Sequence, residues 1–163
     1  MPNNRHIIKD GQIAVNEWLL VTDSSQPIPE AKVIVSLDIW QAHKEQLAKK
    51  PVGLWIKNDQ SLETIHKDLS QFDVIAIDFP GFMDGRGFSI GRLLRDRYHY
   101  QGEIRATGSI IRDQLCYLKR CGFNAFDLGG NSNLESAIAS LNDFSDGYQI
   151  SVDQKTPLFR RRA

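Results

Sequence analysis

Charged residues stand at alternate positions where several apolar runs end: Lys57 two after Trp55, Asp78 two after Ala76, Arg105 between Glu103 and Thr107, and Asp127 two after Ala125. Alternate positions of an extended chain share a face. If these runs are neighbouring strands in register, Lys57, Asp78, Arg105 and Asp127 converge. An unpaired buried charge costs several kcal/mol, a large part of the ~5 to 15 kcal/mol that holds a domain folded, so such groups must be paired or wet. A polar pocket for a small ligand is one reading. Strand-end charges that only pair with their neighbours are the other.

The stretch Pro80 to Ser89 adds to the first reading. It carries Gly81, Gly85 and Gly87 and runs into a helical pattern through Ile90, Leu93 and Leu94. Glycines allow close ligand approach, the exposed N–H groups and dipole of a helix start favour an anion, and Arg86 adds a forked donor. The next such loop, Thr107-Gly108-Ser109, leads to Arg112 and Asp113. The expectation is a small-oxyanion site formed by Arg86, Arg105 and Arg112, with Gly85, Gly87 and Ser89 supplying the loop and Asp78, Asp84 and Asp113 orienting the arginines. The alternative is a small enzyme in which Lys57, Asp78 and Asp127 move a proton on a carboxylated metabolite.

Other chemistries find little support. Gly85 to Gly91 departs from the dinucleotide fingerprint and no Gly-Lys-Ser/Thr occurs. No redox cofactor is evident, and a nicotinamide or flavin nucleotide stays a minor alternative. His6, His43, His66 and His99 show no metal-ligand spacing, so no metal site is expected. Cys116 and Cys121, five apart in one expected helix, point about 140° apart and read as two reduced thiols.

The elements that would carry these residues follow a repeat. Apolar runs at Val33 to Ser36, Val52 to Lys57, Asp73 to Phe79, Glu103 to Thr107, Asn124 to Leu128 and Tyr148 to Val152 read as strands, with helical spacing between them. Leu62, Ile65, Leu69 and Phe72 form one stripe, and Ile111, Leu115 and Leu118 another. Leu93, Leu94 and Tyr98 are expected to face the core, leaving Arg92, Arg95, Asp96 and Arg97 solvated. Ser132 to Glu135 has capping-box form, and Gly122 sits where a helix C-terminal glycine belongs. Asp10-Gly11 between short apolar runs signals a hairpin, and Thr22 to Glu30, with Pro27 and Pro29, reads as a connector.

Strands alternating with helices imply parallel pairing through right-handed crossovers. The expected fold is α/β: repeated βα units in a parallel sheet, open or a partial TIM-like barrel, with an N-terminal β-hairpin. One domain is expected over 1–163, with hairpin and connector in 1–30, repeats in 31–152 and a surface tail in 153–163, whose Arg160, Arg161 and Arg162 are expected to be solvated. Twenty basic residues balance twenty acidic ones, which argues against nucleic acid or an anionic membrane as partner. No signal-peptide pattern or membrane-length apolar run occurs, and a cytoplasmic location is expected. The oligomeric state is left open.

Five motifs in order carry a resemblance: Asp84-Gly85-Arg86-Gly87-Phe88-Ser89, Arg92-Leu93-Leu94-Arg95, Tyr100-Gln101-Gly102-Glu103-Ile104-Arg105-Ala106, Arg112-Asp113-Gln114-Leu115 and Cys121-Gly122-Phe123-Asn124-Ala125-Phe126. Together they resemble an uncharacterised bacterial family described as an oxidoreductase involved in sulfite reduction. The resemblance implies a role in assimilatory sulfate reduction, with sulfite reductase as partner. No iron-sulfur cysteine set or haem motif accompanies it, so an accessory role is expected, and whether the protein is itself an enzyme stays open.

Overall fold

A computed structural model describes residues 5–130 and 132–161. His6–Lys9 (β1) and Gln12–Val15 (β2) form the expected hairpin, with Asp10 and Gly11 both at positive φ in the turn, the backbone a tight hairpin requires. Six further strands follow: β3 (Leu19–Val21), β4 (Val33–Ser36), β5 (Val52–Lys57), β6 (Val74–Phe79), β7 (Glu103–Gly108) and β8 (Ala125–Phe126). The sheet order is β2-β1-β8-β7-β6-β5-β4-β3. Neighbours from β3 to β8 pair in parallel, whereas β1 is antiparallel to both β2 and β8. The sheet is therefore mixed, and only its larger part is the parallel repeat.

The linker between β2 and β3 shows that this sheet is curled. Eight flat strands would set β2 and β3 roughly 34 Å apart at about 4.8 Å per spacing. The chain joins these opposite edges through Asn16, Glu17 and Trp18 alone, and from Val15 to Leu19 it reaches at most about 15 Å. The sheet must close most of the way round into a half-barrel. Trp18, with Trp55, packs on Ile34, Val74 and Ala76, so the linker crosses the inner face as a strap. The main core lies on the outer face, where Val35, Leu54, Ile56, Ile75, Ile77, Ile104 and Phe126 meet the helices.

Those helices are α1 (Leu37–Leu47), α2 (Arg86–Asp96), α3 (Leu115–Arg120), α4 (Leu134–Ser140) and α5 (Leu158–Arg161). The buried stripe of α2 is Gly87, Ile90, Gly91 and Leu94, at helical spacing; Leu93, expected inside, is exposed because it lies off that stripe. The stripe of Leu62, Ile65, Leu69 and Phe72 is buried as expected, but on two 3₁₀ turns, Leu62–Thr64 and His66–Gln71. Spacings of three within Leu62/Ile65 and Leu69/Phe72 suit three residues per turn as well as an α-helix.

Further expectations need correction. Leu19–Val21, inside the 1–30 stretch expected to hold hairpin and connector, pairs with β4 and so belongs to the parallel sheet; three residues are too few to show a period. Tyr148 to Val152 is not a strand; Tyr148 and Ile150 are exposed, and Arg120 holds the segment instead, donating to the Gln149 carbonyl at 2.6 Å while its own carbonyl accepts from Val152 N at 3.1 Å. Ile111 is exposed in front of a 3₁₀ turn, Arg112–Gln114, so of the expected stripe Leu115 and Leu118 are buried, joined on α3 by Cys116. The α4 cap is Asn133, whose side chain accepts from Ser136 N at 2.9 Å, while Ser132 donates to the Leu128 carbonyl. Gly122, at φ +102°, follows α3 as expected. Cys116 and Cys121 are free and buried.

Candidate functional site

The carboxyl ends of the parallel strands form the mouth of the half-barrel. Lys57, Asp78 and Thr107 lie side by side there in register across β5, β6 and β7. Arg105 pairs with Ala76 one step deeper on the same face. Of the four residues expected to converge, Lys57 and Asp78 do so, Arg105 lies beneath them, and Asp127 follows β8 on the other side of Thr107.

Arg105 is committed to the protein. Its side chain is 2% exposed and forks onto Glu103, Nε at 2.7 Å and Nη2 at 2.6 Å. Nη1 donates to Asn16 Oδ1 on the strap at 2.9 Å, and Lys9 reaches Glu103 from β1 at 2.8 Å. A guanidinium so enclosed by carboxylate and amide oxygens is an internal tie between barrel and strap, and the structure does not bring it to the surface where Arg86 and Arg112 stand. The alternation that placed Glu103 and Arg105 on one face was legible in sequence; that they neutralise each other was not.

The loop after β6 is neutralised in the same way. Asp84 accepts from the backbone N–H of Arg86 at 3.2 Å and from its guanidinium, Nη2 at 2.6 Å. These bonds hold the Asp84 carboxyl far below the usual carboxylate range. An anion at the start of α2 is thus already supplied by the chain itself. The glycines divide by role. A Cβ on Gly85 would meet nothing, whereas one on Gly87 would stand 2.5 Å from the buried Phe79 ring and one on Gly91 would collide with Phe123. Gly87 and Gly91 let α2 pack closely on the sheet. Ser89 is exposed on α2.

Arg112 and Asp113 are exposed on the 3₁₀ turn after β7, which Gln114 ties to the β6–α2 loop by donating to the Phe82 carbonyl at 2.7 Å. Asp127 is paired with Arg5 at 2.9 Å. Arg95, expected to be solvated, is half-buried and donates to the carbonyls of Gly122, Tyr100 and Gly102, fastening α2 to the start of β7. Arg161 pairs with Asp146 at 2.6 Å rather than standing free; Arg160 lies over the ring of Phe159, and Arg162 falls outside the described residues.

Asp78 differs from the other strand-borne acids. Among the described residues it accepts no hydrogen bond and makes no ion pair, and burial pushes its carboxyl above the ordinary value, with Lys57 opposing. Gly108, at φ +89°, makes room for it, since a Cβ there would lie 2.8 Å from Asp78 Oδ1. Lys57 makes no ion pair either and extends over the Trp55 ring at 5.9 Å. An unpaired, half-buried carboxyl beside an uncommitted ammonium can hold or move a proton next to an anion.

Among the described residues no group of three or more His, Cys, Asp or Glu could hold a metal ion, and no helix is long and apolar enough to cross a membrane. No curated protein matches the sequence. A family model does, over residues 53–159, which include Lys57, Asp78, Arg105 and the α2 loop. The chain belongs to that family, described as a bacterial protein of unknown function (DUF934).

Proposed function

We propose that this protein is an accessory of assimilatory sulfite or sulfate reduction and that it works at the mouth of the half-barrel, where a small oxyanion binds beside Asp78. The observation that carries the ligand reading is the unpaired, half-buried Asp78, its carboxyl raised by burial, in register with Lys57 on β5, a cation that makes no ion pair among the described residues. Protonated Asp78 donates a hydrogen bond to the anion while Lys57 balances its charge, so binding strengthens as pH falls. The place in sulfur assimilation, and sulfite reductase as a docking partner, rest on the sequence resemblance. The test is a melting-temperature series in sulfite, sulfate and phosphate, since a ligand that binds only the native state stabilises it by mass action. A millimolar anion should raise Tm in the wild type and not in Lys57→Ala; no rise with any of the three anions contradicts the reading.

A second reading has support from the same carboxyl. With its pKa raised by burial and no hydrogen-bond partner among the described residues, Asp78 suits proton transfer on a carboxylated metabolite anchored by Lys57. Asp127, the third member expected, is held by Arg5. Turnover of any substrate in a carboxylate panel, abolished in Asp78→Asn, would favour this enzyme over the accessory role. Nicotinamide and flavin enter neither reading.

A further inference from the structure

A second recess lies away from Lys57 and Asp78, on the far side of β7 and β8. It is an open hollow of about 670 Å3 whose walls include Arg5, Ile13, Gly129, Gly130, Leu134 and Glu135. Arg5 gives Nη2 to Asp127 at 2.9 Å, but its Nε is buried with no hydrogen-bond partner among the described residues. Gly129, at φ +86°, lets the loop backbone run close under that guanidinium, since a Cβ there would stand 3.4 Å from Arg5 Nη2. Glu135, in the first turn of α4, is exposed and makes no ion pair among the described residues. Ile13 is 39% exposed and Leu134 partly buried, so both present apolar surface.

One cation whose side chain is 38% exposed and whose Nη1 has no hydrogen-bond partner among the described residues, one free carboxylate and two aliphatic side chains around a single recess match a zwitterion with a hydrocarbon tail. A simple anion gains from Arg5 but is opposed by Asp127 and Glu135, and a simple cation leaves Arg5 unused. We infer that this hollow binds a free aliphatic α-amino acid, its carboxylate accepting from Arg5, its ammonium donating to Glu135 and its side chain lying on Ile13 and Leu134. The inference is independent of the oxyanion at the mouth.

Calorimetric titration with L-leucine tests it, with isovalerate and isoamylamine as partners that each lack one of the two charges. The wild type should bind L-leucine saturably and each analogue at least about tenfold more weakly, the usual effect of losing one charge-assisted hydrogen bond. Glu135→Gln, on an exposed helix position, should lose the preference for leucine over isovalerate, and Arg5→Gln the preference over isoamylamine. Lys57→Ala should bind leucine as the wild type does, which separates this site from the mouth. Absence of leucine binding, isovalerate binding as tight as leucine, or an unchanged Glu135→Gln would each overturn the inference.

Discussion

Asp78 sits in surroundings that disfavour its own charge, and that is why it stands out. Its folded-state pKa lies above the unfolded value, so it begins to cost stability as pH rises through the unfolded pKa and costs most above the folded one; in acid the cost is gone. Asp78→Asn should therefore raise Tm at neutral pH and leave it unchanged near about pH 3, below the ordinary aspartate range, as a pair of calorimetric scans would show. Arg105 is the opposite case, buried but satisfied by Glu103 and Asn16. Arg105→Gln leaves Glu103 with Lys9 as its one remaining cation and should cost toward the lower end of about 3 to 5 kcal/mol in urea unfolding. The sequence placed these charges on one face by alternation. It could not say which were paired, because the partners Lys9 and Asn16 come from segments remote in the chain.

At the level of elements, strands β4 to β7 were legible because four to six apolar residues leave a clear pattern. Helix α2 was legible as a helix but its buried face was not: two of the four residues on it are Gly87 and Gly91, which carry no apolar signal, so Leu93 stood in for them. The three-residue β3 owes its existence to pairing with β4, and the Tyr148 segment owes its irregular path to Arg120; neither cause is local. The close seat of α2 on Phe79 predicts that Gly87→Ala overpacks the core, costing about 1 to 3 kcal/mol in chemical denaturation. The α4 cap makes a milder claim. Asn133→Ala should cost about 1 kcal/mol, and Ser132→Ala, which removes no cap, should cost clearly less.

Across the whole molecule, a three-residue strap joins the two sheet edges and forces the curl, filling the inner face with Trp18 and the Arg105 network while the mouth stays polar. The inner face is thereby filled below the rim, and the proposed anion site centres on Lys57 and Asp78 rather than on Arg86 and Arg105, which Asp84 and Glu103 already hold. Carboxyl-carbon NMR titration of Asp78, with and without sulfite, tests this most directly. The account predicts a pKa above the ordinary aspartate value that rises further with sulfite, and an answering loss of the sulfite effect in Lys57→Ala. An ordinary pKa that sulfite leaves in place would contradict it.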